Sequence, residues 1–254
     1  MKRIIDNPLR VARKLGALTI VAGSYRATQI DEYLHHEERI TTVQDKGIVH
    51  IGGSMIQHRE LLFDNYSDFV AMIPGDHHVP LVAIERAITT SEDTNCDVTT
   101  LATNTLAYHE TYNYSLTDSG HLIYNRKAES IIASLGTYIF KTSWLKRRLE
   151  AINKVGTTYC DLTSDVVFDS SSASRAFSPL EDLEYWQDVG TIQRLCRHII
   201  YMNSNNKDRD GNITLNENFD TAMLKECIIY PDAEPTRAQL NKKIIASDFI
   251  GSYS

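Results

Sequence analysis

Long hydrophobic runs are missing from this chain: no uninterrupted apolar stretch approaches the ~18 residues that a membrane-spanning helix needs. The start, MKRIIDNPLRVARKLG, is basic but has no apolar core of the kind a secretory leader requires, so a cytoplasmic protein with no membrane role is expected. Positive charge is also short. The 26 Lys+Arg are outnumbered by 33 Asp+Glu, for a net charge of −7, which argues against a protein that grips phosphate backbones; no nucleic-acid partner is expected. Cysteine is sparse, and the four present (Cys96, Cys160, Cys196 and Cys227) include no CxxC pair. That spacing suits small buried thiols in a reducing compartment better than a disulfide frame or a zinc site. Low-complexity tracts and full internal repeats are absent too. What remains is ordinary globular composition, with 42% hydrophobic and 23% charged residues over 254 positions, enough chain for a full-sized core.

The hydrophobic pattern alternates between helix and strand. Asn7-Pro8 opens a helix that Gly16 closes, the strand Ala17 to Ala22 follows, and a helix runs from Thr28 to Leu34. A short strand at Ile48 to Ile51, a helix capped by Ser54 and a buried-looking strand at Asp68 to Ile73 come next. Pro80 opens a helix through about Thr89, and strands are expected at Asp97 to Ala102, His121 to Asn125 and Ser134 to Phe140. A helix from Ser143 to Asn153, a polar loop at Asp169 to Ser174 and a last amphipathic helix from Thr191 to Met202 complete the main body. Such alternation predicts an α/β fold with a mainly parallel, Rossmann-like sheet and helices on both faces. The polar run from Asn203 suggests a boundary, giving a main domain at 1–202, a linker at 203–223 and a short β stub at 224–254.

In such sheets ligands sit beyond the carboxyl ends of strands. The strand ending in Ile73 delivers Gly75, which lets a ligand approach the backbone, then the carboxylate of Asp76 and the imidazoles of His77 and His78. A second carboxylate, Asp188, stands just before the last helix. Two converging aspartates are hard oxygen ligands of the kind that hold Mg²⁺ against phosphate oxygens. Taken alone, Asp76 serves equally as a turn former and Asp188 as a helix cap, and spacing leaves these readings open.

The string Tyr185-Trp186-Gln187-Asp188-Val189-Gly190-Thr191 resembles the Tyr-Trp-x-Asp-Val-Gly-Thr signature of the ADP-glucose pyrophosphorylases (glucose-1-phosphate adenylyltransferases), and other segments follow in that family's order. MKRIIDNPLRVARKLG is similar to its Arg-Ile-Ile-Asp segment, IPGDHH to its Gly-Asp-His motif, and Glu129 to Phe140 to its Ser-x-Gly-Ile-Tyr-Val-Phe strand; TYCDLTSD, from Thr158, is a looser match to its His-Asp-Phe-Gly stretch. The resemblance covers about residues 2 to 202. It implies a sugar nucleotidyltransferase domain, in which a sugar 1-phosphate attacks the α-phosphorus of a nucleoside triphosphate and pyrophosphate leaves. On that reading Asp76 and Asp188 hold Mg²⁺, and Lys127, placed like the lysine of the family's Glu-Lys-Pro motif, grips the sugar phosphate. Gly53, Ser54, Gly75, His77, Gly136 and Trp186 fall in segments implied to line the nucleotide and sugar pockets. Two departures stand out: Arg126 replaces the glutamate of the Glu-Lys-Pro motif, and the segment Gly53 to Gln57 lacks the aspartate of the family's Gly-Thr-Ala-Asp-Ala motif.

The resemblance takes up downstream of the family's first strand and glycine-rich triphosphate loop, so Ala17 to Ala22 and Asp68 to Ile73 are expected to lie side by side in the sheet. Three functions follow as expectations: a sugar nucleotidyltransferase, a catalytically silent nucleotide-sugar-binding or regulatory subunit, and a glycosyltransferase using a ready-made nucleotide sugar. The partners expected are a nucleotide or nucleotide sugar and a sugar phosphate, with self-association or a partner subunit through the edge of the β stub. A separate pattern spans Asn206 to Glu217, where Asn206, Asp208, Asp210, Gly211, Ile213 and Glu217 fall at calcium-loop spacing. It reads either as a Ca²⁺ loop or as a polar linker that uses Asp and Asn for turns.

Overall fold

The computed structural model describes residues 3–23, 27–47, 49–64, 67–103, 113–116, 122–124, 132–154, 159–168, 173–181, 184–190, 194–195, 198, 201, 206–207 and 213–214. The chain divides into two compact units. One comprises Met1–Asn7, Gly75–His78 and Tyr185–Ser254, and the other Pro8–Pro74 and Val79–Glu184. Among the described residues no helix is long and apolar enough to cross a membrane.

The second unit is α/β. Helix α1 (Asp6–Lys14) buries Leu9 and Val11 and ends at Gly16, whose φ of +65° is the left-handed turn that suits glycine. Strand β1 (Thr19–Gly23), helix α2 (Ala27–Leu34) and strand β2 (Ile40–Gln44) form a βαβ unit, with β1 and β2 paired in parallel from Thr19–Ile40 to Gly23–Gln44. The strand expected at Ile48 to Ile51 is therefore upstream, in the β-branched run Ile-Thr-Thr-Val. Ile51 instead starts helix α3 (Ile51–Gln57), so Ser54 is a helix-interior residue and His50 occupies the N-cap. A short helix α4 (Arg59–Phe63) follows.

The remaining strands are β3 (Phe69–Met72), β4 (His77–His78), β5 (Val98–Thr103), β6 (Asn113–Leu116), β7 (Leu122–Tyr124), β8 (Ile132–Lys141), β9 (Arg175–Pro179), β10 (Gln187–Asp188), β11 (Asn206–Lys207) and β12 (Ile213–Thr214). β3, β5, β6, β7, β8 and β9 make one six-stranded sheet. β9 lies parallel to β5, while β8 runs antiparallel to β3, β5 and β6, and β6 antiparallel to β7. β1 and β3 are not neighbours, contrary to expectation: β1 hydrogen-bonds β2 and β3 hydrogen-bonds β8, in separate sheets. The short crossover through α2 delivers β2 alongside β1, whereas β3 finds its complement in the apolar end of β8.

Both β5 and β8 are buried along almost their whole length, which is why they read as continuous apolar or small-residue runs without alternation. The register between them shifts between Thr100 and Ala102. Opposite that shift Gly136 takes a φ of +72°, a bulge conformation favouring glycine, and its N–H donates to Ser134 Oγ at 3.1 Å. Helix α6 (Thr142–Lys154) lays Trp144, Leu145 and Leu149 onto the sheet, with Trp144 stacked on Phe140 at 6.1 Å between ring centres. A π-helix (Leu162–Phe168) contributes Leu162, Val166 and Val167 to the same core. Helix α5 (Leu81–Thr94) buries Ala83, Ile84 and Ala87 and closes on Asn95, in the left-handed region at φ 49°.

Helix α3 packs through glycine. A Cβ on Gly52 would stand 2.8 Å from the Cys160 carbonyl oxygen and 2.9 Å from its Sγ, and the Gly53 N–H donates to that same carbonyl at 3.0 Å. The obstacle is backbone, which cannot swing aside, so Gly52→Ala is expected to destabilise the protein by about 1–3 kcal/mol in a denaturant titration. Burial, reinforced by the nearby Asp165 carboxylate, pushes the Cys160 thiol up to about 11. The unfolded thiol loses its proton first, so the linked stability is complete below pH 9.0 and is lost as pH rises toward about 11. Iodoacetamide at pH 8 is expected to spare Cys160 in the native protein and to label it in denaturant, as read by peptide mass spectrometry.

Candidate functional site

The first unit holds the residues on which the sequence places metal chemistry. Strand β4 pairs antiparallel with β10, setting Asp188 opposite His77 and Gln187 opposite His78, and the Val189 N–H donates to the Asp76 carbonyl at 3.0 Å. This short ladder brings together two segments more than a hundred residues apart. Asp76 follows directly on Gly75, around which a Cβ would meet nothing within 4 Å, so the approach to the backbone is open there.

Gly190 marks where the two carboxylates converge. A Cβ at that position would lie 3.0 Å from Asp188 Oδ1 and 3.1 Å from Asp76 Oδ2. The absence of a side chain leaves a small cradle lined by one oxygen from each aspartate. Asp76, His77 and Asp188 each offer one ligand atom, and the three lie within 4.8 Å of one another. The Asp76 side chain is 54% exposed and can take a ligand from solvent, while Asp188 is 25% exposed. His77 Nε2 stands 3.8 Å from Asp76 Oδ1, and its ring meets the buried Trp186 edge-on at 5.1 Å, which fixes the imidazole plane. Two hard carboxylate oxygens with an imidazole beside them are a donor set that fits a divalent cation such as Mg²⁺.

Asp188 is already engaged at both oxygens. The Gly190 N–H donates to Oδ1 at 2.7 Å, and the Arg194 guanidinium pairs with Oδ2 through Nη1. The described residues of the helix expected at Thr191 to Met202 (Arg194, Leu195, His198 and Tyr201) are indeed helical. The His78 ring packs against Tyr185 at 5.2 Å and His198 at 4.9 Å. The Tyr185 hydroxyl contacts His198 Nδ1 at 3.3 Å, and burial lowers the His198 pKa.

Thus Gly75, Asp76, His77, Trp186 and Asp188 gather in the first unit. Gly53, Ser54 and Gly136 belong to the second, where Gly53 and Gly136 serve helix packing and the bulge, and Ser54 Oγ donates to Asp45 Oδ1 at 2.7 Å. That carboxylate also meets His58 Nε2 at 3.0 Å. Lys127, Asp208, Asp210 and Glu217 lie outside the described residues, as does the β stub from Leu224. Of the calcium-loop segment the backbone pairs Asn206 with Thr214 and Lys207 with Ile213. Sequence reasoning missed Gly190 as the cradle and Arg194 as a partner of Asp188. The glycine stood in plain sight within YWQDVGT, whereas the arginine carries no local signal.

Comparison with known proteins matches the nucleotidyl transferase family over residues 1–203. A glucose-1-phosphate adenylyltransferase of Clostridium kluyveri is 31% identical over 140 residues, covering 52% of this chain and 36% of that protein. The Clostridium acetobutylicum protein of the same name is 26% identical over 149 residues, covering 56% of this chain and 39% of its own length. The chain thus aligns with well under half the length of these curated relatives. Crystal structures of HddC from Yersinia pseudotuberculosis, one of them complexed with GMP-PN, superpose with TM-scores of 0.58 and 0.57 at 13% identity, covering 75% and 76% of this chain and 81% and 82% of theirs. At that identity the likeness shows the fold alone. With four-fifths of the sequence inside the family match, the chain belongs to the nucleotidyl transferase family.

Proposed function

We infer that this chain carries a sugar nucleotidyltransferase site of the glucose-1-phosphate adenylyltransferase type, working on a nucleotide and a sugar phosphate with Mg²⁺ held by Asp76 and Asp188. The observation that carries this reading is the convergence of Asp76 Oδ2 and Asp188 Oδ1 on the cradle at Gly190. The partial likeness to the clostridial adenylyltransferases supports the class of reaction. When bound, Mg²⁺ supplies neutralisation of the charge on the nucleotide phosphates.

The chain's own groups do the rest by positioning. The β4–β10 ladder fixes the two carboxylates at one place, so no reorganisation is needed to assemble them. The Gly190 N–H holds Asp188 Oδ1 in orientation, and the Trp186 edge holds the His77 ring beside Asp76. Lys127, by the resemblance of its segment, would neutralise the sugar phosphate. The Asn206 to Glu217 segment is proposed to take Ca²⁺ through Asn206, Asp208, Asp210 and Glu217.

The test is isotope exchange. With Mg²⁺, a nucleotide sugar and labelled pyrophosphate, label is expected in nucleoside triphosphate, and Asp76→Asn and Asp188→Asn are each expected to lower the rate by about 100-fold or more while keeping the circular dichroism of the parent. Absence of exchange in the parent, with nucleotide-sugar binding retained, would instead favour a silent binder or a glycosyltransferase. Gly190→Ala separates geometry from folding. The carboxylate ends can give way to the new methyl, so the melting temperature should hardly move, while Mn²⁺ affinity measured by calorimetry should fall roughly tenfold as the oxygens are pushed apart.

A further inference from the structure

Asp188 is committed before any metal arrives. Its Oδ1 accepts the Gly190 N–H, a backbone donor two residues away that cannot leave without remodelling the turn. Its Oδ2 is paired with Arg194, whose guanidinium sits at the end of a long, multiply rotatable side chain on the following helix. The pair is half-buried, with side-chain exposures of 24% and 25%, so water screens it only partly. Asp76, by contrast, faces solvent and has His77 Nε2 as a more distant neighbour at 3.8 Å. The cradle therefore already has a cation on one of its two carboxylates, held there by a side chain, whereas the other contact to Asp188 comes from the backbone.

We propose that Arg194 is a resident counter-ion that competes with the divalent cation for Asp188, so that the affinity of the site for metal is set by the ease of displacing its guanidinium. This rests on the metal role of Asp76 and Asp188 put forward above. A carboxylate oxygen can accept a second ligand, so the opposition is one of charge more than of space. Two carboxylates attract a divalent ion strongly, but a guanidinium on one of them cancels part of that charge at the distance where it matters most. The ion pair thus lowers the apparent affinity of the cradle, and molecules in which the guanidinium has left Asp188 bind the cation at full strength. The same logic places the released guanidinium next to the metal position, where anionic ligands of the metal would come.

Titration of the full chain with Mn²⁺, followed by the loss of the free-ion electron paramagnetic resonance signal, tests this on the parent, Arg194→Gln and Asp188→Asn. Arg194→Gln is expected to bind Mn²⁺ roughly fivefold tighter than the parent, the size of effect a half-buried ion pair sets, and Asp188→Asn to bind more weakly than either. Equal or weaker binding by a folded Arg194→Gln, with the parent still binding and Asp188→Asn impaired, overturns the role of Arg194 and leaves the metal site standing. No binding by parent or Arg194→Gln overturns both. Should Arg194→Gln fail to fold, modification of the parent by phenylglyoxal decides. Mn²⁺ is expected to speed labelling of Arg194, mapped by mass spectrometry, as the guanidinium leaves Asp188, and an unchanged rate would overturn the proposal.

Discussion

Strand β8 is the constraint on which the second unit depends. Three of the five ladders of its six-stranded sheet run through β8, with β3 and β5 along its length and β6 at its start. Its buried backbone can satisfy its donors and acceptors only through those neighbours. Helix α6 leaves directly from its end, so Phe140 and Trp144 stack across the junction and the helix is anchored at the point where the strand stops. The bulge at Gly136 lets so long a strand serve partners whose registers do not coincide. Cys160, Leu162 and Val166 then fill the space between α3, α6 and the sheet, and Gly52 yields the room they require.

The first unit is organised on a much smaller scale. Two residues in β4 and two in β10 form the ladder, yet they hold both carboxylates, the imidazole and the indole that steadies it. Chemistry concentrated at so short a pairing is governed by what each side chain already touches. Asp188 is oriented by a backbone amide and neutralised by an arginine, whereas Asp76 stands open. The two aspartates look alike in sequence but are unequal in the folded chain.

Much of this was legible beforehand where a local rule applied. The runs that became β5, β8, α5 and α6 carried periodicity or apolar continuity long enough to read, and YWQDVGT and GDHH identified the two carboxylates that the fold does bring together. β2 was misplaced because Ile40 to Gln44 mixes Thr and Gln into a short run, while Ile51, the last residue of the strand expected instead, starts a helix. β9 was missed because Arg175 to Pro179 has no pattern of its own and gains its place from pairing with β5. The separation of β1 from β3 is a matter of tertiary pairing, to which strand composition is blind. Arg194 was invisible for the same reason: nothing in the sequence marks an arginine six residues from an aspartate as its ion-pair partner.

The parallel pair β1–β2 carries a consequence for motion. Among the described residues each of these strands pairs with no strand but the other, and most of their residues are half-buried, unlike the enclosed β5 and β8. Such a ladder shields one edge of each strand and leaves the other without a paired strand among the described residues. Amide hydrogens along Thr19 to Gly23 and Ile40 to Gln44 should thus exchange with solvent through local openings, while those of β8 wait for the whole unit to come apart.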